Sequence, residues 1–152
     1  MNYLLEFMPD AYLRAIAEHF AAQRSPLPTQ AVAVATRDVL TRGQLLVTQG
    51  DAAHGIPACS ACHGVSFTGM EPAIPGLLGL KPSYISAQLG AWRYGTRTAA
   101  EPDCMQIIAA LLSEDDVTAV AAWLPTLPAP TDAMPSPRAT DGMPLACGSE
   151  PG

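Results

Sequence analysis

The segment Cys59-Ser60-Ala61-Cys62-His63 constrains this chain more than any other feature. Two cysteines three positions apart on one helical turn present their thiols side by side, and the next residue adds an imidazole at the same point. Cys-x-x-Cys-His in that order is the signal for covalent haem attachment. Each thiol forms a thioether with one of two neighbouring haem vinyl groups, and His63 turns its ring toward the iron. A zinc knuckle needs four ligands, and no second Cys-x-x-Cys or close histidine supplies the fourth. A thioredoxin-type dithiol needs a βαβ setting, which the pattern of this chain does not offer.

The rest of the composition narrows the function classes. With 152 residues, 49% of them apolar, the chain can bury one real core with some length to spare. Its formal charge is −6, and Lys81 is its single lysine. Haem propionates would add to that negative charge. Such a surface argues against nucleic acid and anionic lipid, and favours a basic or neutral partner face. No run of about 20 apolar residues exists to span a membrane. The start, Met1-Asn2-Tyr3-Leu4-Leu5-Glu6, lacks the basic residues and long apolar stretch of a secretory signal.

Local pattern predicts helices. Tyr12, Leu13, Ile16, Ala17 and Phe20 recur at helical spacing, so residues 9–23 form an amphipathic helix with Pro9 in its first turn. Pro26 and Pro28 then break a linker over 24–35. A second helix runs from about 37 to 49 and stops at Gly50-Asp51. The stretch 51–80, rich in Gly and Pro, reads as loop carrying the haem motif on one turn. Pro82 opens a helix over 83–94 that Gly95 closes. A short helix follows Met105. Ser113 caps a last helix over 114–124, with Asp116 at the capping-box position, and Pro125 stops it. Seven prolines lie between Pro125 and Gly152, so that tail reads as extended and loosely structured. No strand is predicted, and the fold class is all-α.

Two iron ligands are then required. His63 ligates as a neutral ring through one nitrogen, with its other N–H held by a backbone carbonyl. Pro75 has a carbonyl free to accept that bond, or it simply stiffens its loop; both readings stand. For the sixth position, His54 lies too close on the proximal side and His19 outside the haem domain. Met105, 42 residues beyond His63, is the preferred ligand. Met70 is only seven residues on, and Met134 and Met143 lie in the tail. The competing reading makes Met105 a core residue.

These residues together bring a family into view. Cys59-Ser60-Ala61-Cys62-His63-Gly64 is followed by Ile74-Pro75-Gly76-Leu77, then by Tyr84-Ile85, Gln88-Leu89, Arg93 and Arg97. Met105, Leu112-Ser113-Glu114-Asp115-Asp116-Val117 and Ala121-Ala122-Trp123-Leu124 complete the set. In combination they resemble class I cytochromes c of the bacterial tandem-domain, diheme type. The resemblance covers residues 37–124. It implies a class I cytochrome c fold around one covalent haem c, with His63 and Met105 as axial ligands. It also implies that Arg97, with Tyr84, Gln88 and Trp92, borders the haem or its propionates. Plain core packing for Tyr84 and Trp92, and a solvated helix end for Arg93 and Arg97, are the bland alternatives.

An internal echo extends the resemblance. Shifted by 104 positions, Met1 falls on Met105, Leu4 on Ile108 and Phe7 on Leu111; Leu13, Ala15, Ile16, Ala17 and Phe20 fall on Val117, Ala119, Val120, Ala121 and Leu124. Residues 1–23 therefore read as the end of a preceding cytochrome domain, 24–35 as a linker, 36–124 as the haem domain and 125–152 as a proline-rich tail. The first haem motif of the family is missing. The expected partners are redox proteins, with a first cytochrome domain upstream or self-association through residues 1–23.

The expected function is single-electron transfer, not enzymatic turnover, because a filled sixth position keeps substrate off the iron. The alternative is a peroxidase-like haem enzyme with a labile sixth ligand. Thioether chemistry and the family place the protein in the periplasm. There, the two cysteines outside the motif, Cys104 and Cys147, are expected to pair as a disulfide.

Overall fold

The computed structural model describes residues 2–23, 27–28, 30, 34–128, 130, 133–137 and 142–150. Met1 and parts of the expected linker and tail lie outside the described residues. Among the described residues, seven α-helices follow in chain order: α1 (Asn2–Leu5), α2 (Asp10–Ala21), α3 (Arg37–Thr48), α4 (Ser60–His63), α5 (Pro82–Arg93), α6 (Cys104–Leu111) and α7 (Glu114–Trp123). Short 3₁₀ turns occupy Ala52–His54 and Leu124–Thr126.

Helix starts follow the local chemistry. The Thr36 side chain accepts the Val39 N–H at the start of α3. Pro82 occupies the first turn of α5, where a missing N–H costs nothing. At α7 the Ser113 hydroxyl accepts the Asp116 N–H, and the Asp116 carboxylate accepts the Ser113 N–H, closing the capping box. α6 begins earlier than expected, at Cys104, because the buried Asp103 carboxylate accepts the Gln106 N–H and caps it there. Met105 therefore sits within the first turn of this helix.

The core lies between α3, α5, α6 and α7. Leu46 and Val47 are fully buried and pack with Ile56, Phe67, Leu78, Ile85, Leu89, Ala109, Leu112, Val120, Ala121 and Leu124. Each such Val, Leu, Ile or Phe side chain stabilises the fold by roughly 1.5–3 kcal/mol relative to exposure, the alanines less. α3 and α7 form the most extensive helix pair. They meet at Gly43, where a Cβ atom would stand 2.2 Å from the Ala119 carbonyl oxygen and 2.7 Å from the Trp123 Cβ. Both obstacles are fixed, so a side chain can enter only if the helices part. Gly43→Leu is expected to destabilise the fold by about 2–4 kcal/mol, read as a lowered denaturation midpoint with an unchanged denaturant slope.

The expectation of no strand fails in one place. β1 (Gly69–Met70) and β2 (Ile74–Pro75) form a small antiparallel pair, with Gly69 opposite Pro75 and Met70 opposite Ile74. Two-residue strands are too short to show alternation, so the Gly- and Pro-rich sequence disguised them. The tail also differs from the loose segment expected. Ser136 pairs in parallel with Met70, the Gly148 N–H donates to the Pro102 carbonyl at 2.9 Å, and Cys147 is bonded to Cys104 with Cα atoms 5.0 Å apart.

At the other end, α1 and α2 bury none of their described side chains, and Tyr3, Leu4, Phe7, Tyr12 and Phe20 are exposed. The linker between them and α3 is not a bare spacer. Leu27 packs against the core, and the Gln30 side-chain amide donates to the Gly79 carbonyl at 2.9 Å.

Candidate haem site

The haem motif occupies the single turn of α4, closed by the His63 N–H donating to the Cys59 carbonyl at 2.9 Å. The two thiols are unpaired with each other. Burial pushes the Cys59 thiol up to about 11 and raises Cys62 as well. Both shifts come from desolvation of the thiols on the cavity side of the turn. Among the described residues, no group of three or more His, Cys, Asp and Glu side chains is arranged to hold a metal ion by itself.

His63 is 8% exposed. Its Nδ1 lies 2.8 Å from the Pro75 carbonyl, which the β1–β2 hairpin carries across the motif. Burial lowers its pKa, and the Pro75 hydrogen bond opposes that shift without reversing it. A neutral ring donating Nδ1–H to Pro75 leaves the Nε2 lone pair available for iron.

Above the motif lies an open-sided cavity whose lining is mostly apolar. Cys59, Cys62, His63, Pro75, Tyr84, Gln88, Trp92, Arg97 and Met105 all line it. The structure therefore brings together every residue the sequence nominated for haem. Of the described methionines, Met105 lines the cavity; Met8, Met70, Met134 and Met143 do not, nor do His19 and His54.

Sequence reading did not single out the apolar wall, formed by Leu80, Ile85, Leu89, Ile108, Leu112 and Val120. Ile85, Leu89 and Leu112 entered only through the family resemblance and Ile108 and Val120 only through the internal echo, and it is the tertiary arrangement that turns all six toward a shared space. Tyr84 is 47% exposed and stands at the mouth.

The polar corner of the cavity suits a carboxylate. Trp92 Nε1 is buried and donates to no partner. The Arg97 guanidinium stacks over the Trp92 ring, 3.9 Å from its centre, and donates to the Gln88 side-chain oxygen. An orphaned indole donor beside a guanidinium is costly in an empty site and satisfied by an anionic group. Haem propionates fit this corner. Arg93 has a different role: it donates to the Ala109 and Leu112 carbonyls and ties α5 to the end of α6.

A second polar network was not legible in the sequence. Arg42 on α3 donates to Asp116 at 2.7 Å and pairs with Asp51 at 2.9 Å, and His54 lies 3.0 Å from Asp51. Hydrogen bonds from His54 and then Arg42 lower the Asp51 pKa. Burial raises that of Asp116, but the bonds from Arg42 and Ser113 prevail and lower it. The network fixes α3, the loop leading into the motif and the start of α7.

No family model matches the chain. It is 36% identical over 126 residues to cytochrome c4 of Pseudomonas aeruginosa, covering 82% of this chain and 60% of that protein. A "thiosulfate dehydrogenase electron acceptor" of Thiomonas intermedia is 33% identical over 133 residues, covering 84% of this chain and 58% of its own. A solved Acidithiobacillus ferrooxidans cytochrome c4 superposes with a TM-score of 0.63 at 31% identity, over 80% of this chain and 67% of that one. The chain belongs to the class I c-type cytochromes. The cytochrome spans about three fifths of the length of the two relatives named first. A c-type cytochrome holds haem covalently, which agrees with the motif and the cavity above it. Among its described residues, no helix is long and apolar enough to cross a membrane.

Proposed function

We propose that this cytochrome is a single-electron carrier with one haem c, attached through Cys59 and Cys62 and ligated by His63 and Met105. The observation that carries this reading is the convergence of Met105, from α6, with the motif residues on one apolar cavity. Bound haem supplies the Fe(III)/Fe(II) couple. His63, oriented by Pro75, and Met105 would hold the iron, and the soft Met105 sulfur would favour the reduced state. The apolar wall excludes water. Arg97 would offset the charge of a propionate, and the Trp92 N–H would donate a hydrogen bond to it. With both ligands in place, substrate would be kept off the iron, and transfer would proceed through a small, weak encounter with a redox partner. The partner class is a redox enzyme that delivers or takes single electrons, as the name of the Thiomonas relative suggests. Thioether attachment of haem supports a periplasmic location.

The helices α1 and α2 support a second part of the proposal, that residues 1–23 end a preceding cytochrome domain. The 104-residue echo places the first residue of α2, Asp10, on the first residue of α7, Glu114. α7 buries Ala119, Val120 and Ala121 against its neighbours, whereas their counterparts Ala15 and Ala17 are exposed and Ile16 is half-buried. α2 thus carries the apolar face of a terminal haem-domain helix without the helix it should cover.

The test is spectroscopic. The purified ferric protein should show six-coordinate, low-spin iron with a sulfur-to-iron charge-transfer band and slow cyanide binding. Rapid binding of cyanide or peroxide would instead support the haem-enzyme reading.

A further inference from the structure

Described residues of the proline-rich tail meet the haem domain beside each expected axial ligand. At the first, the Ser136 N–H donates to the Gly69 carbonyl at 2.8 Å, and the Glu71 N–H donates to the Ser136 carbonyl at 2.9 Å. Ser136 thereby adds a third chain to the β1–β2 pair, on the far side of β1 from Pro75. Its side chain lies against Gly64, the residue after His63; a Cβ on Gly64 would be 3.1 Å from the Ser136 Oγ. The hairpin so extended carries the carbonyl that orients the His63 ring.

At the second, Cys147 is bonded to Cys104, the residue before Met105. The Gly148 N–H donates to the Pro102 carbonyl, and the approach is close enough that a Cβ on Gly148 would stand 2.2 Å from the Glu101 carbonyl oxygen. The covalent link and this contact hold the stretch before α6 on which the position of Met105 depends. The Asp103 carboxylate, accepting from Ala99 and Gln106, completes the restraint.

We propose that residues 134–137 and 142–150 are a positioning brace for both axial ligands, one anchor setting the proximal hairpin and the other the methionine loop. The proposal rests on the His63/Met105 reading above. A brace that acts on the ligands, and not merely on stability, makes two effects of opposite sign. Freeing the Met105 loop raises the fraction of molecules with an open sixth position, and apparent affinity for an added ligand rises in proportion to that fraction. Lost methionine ligation also lowers the reduction potential. Loosening the proximal hairpin weakens the His63–Pro75 bond, makes the imidazole a poorer donor to Fe(III), and raises the potential.

The experiment uses the holoprotein with imidazole as the added ligand. In the Cys104→Ser/Cys147→Ser double variant, imidazole affinity of the ferric protein should rise about tenfold, following the open fraction, and the potential should fall. In Ser136→Pro, which lacks the donating N–H, the potential should rise. Ser136→Ala keeps that N–H and should behave as wild type. If the double variant does not assemble, the wild-type disulfide can be opened with a water-soluble phosphine. The disulfide then gains two electrons and two protons, and the phosphine is oxidised to its oxide with oxygen from water. Blocking the thiols with a maleimide and reoxidising the iron with ferricyanide permits the same titration. Wild-type imidazole affinity and potential in these forms would overturn the brace, as would shifts of one sign that merely track thermal stability. Met105→Ala separates the two readings: if it keeps a sulfur-ligated spectrum, the ligand assignment fails and the distal half of the brace with it.

Discussion

Met105→Ala is expected to leave haem covalently attached while opening the sixth position of the iron. The cysteines and His63 lie on α4 and its flanks, whereas Met105 comes from α6, so the substitution leaves the attachment geometry intact. Alanine removes the sulfur and leaves space on the apolar side of the cavity. Ferric protein should lose its charge-transfer band and become high-spin or water-ligated. Its imidazole affinity should rise by about a hundredfold, equivalent to ~3 kcal/mol of competition from the methionine removed. A parallel titration of wild-type and variant protein measures both. A retained low-spin, sulfur-ligated spectrum would remove Met105 from the site.

The second large effect is expected from Cys59→Ala/Cys62→Ala. Both thiols line the cavity, and no other described cysteine does. The double variant should retain no haem after acid–acetone extraction or on a denaturing gel stained for haem, where the wild type keeps it. His63 would still offer a ligand, so any haem that remained would be held by coordination and apolar contact alone. Without haem, the large apolar cavity stands open, and an unfilled apolar site costs both transfer and packing free energy. The extracted protein should therefore unfold at a lower temperature and less cooperatively. Covalent haem surviving extraction would show that attachment does not run through these cysteines.

The same local rules that make these residues recognisable explain what was legible elsewhere. Helix α7 announces itself through Ser113 and Asp116, whose capping box is built within three residues. α5 announces itself through Pro82, and α3 through the stop at Gly50. Each signal is short in sequence, so the chain states it without help from distant parts. The haem motif is of this kind, because two thiols and an imidazole on one turn share a face wherever that turn is placed.

The tertiary structure decided the features that join distant segments. Arg42 reaches Asp116 across 74 positions, and no local pattern marks either as the other's partner. Ser136 pairs with the β1–β2 hairpin through backbone groups, which every residue but proline carries and which therefore leave no side-chain signature. The orphaned Trp92 indole beside Arg97 becomes meaningful only when α5 and the loop after it close on the cavity. Sequence by itself thus determined the longer helices, the capping box of α7 and the haem-attachment signal, because those depend on neighbours within a turn, whereas the short α1 and the Asp103 cap of α6 escaped it. Which residues share the cavity, and how the tail is fastened to it, follow from chain packing, because those contacts exist only once the elements have come together.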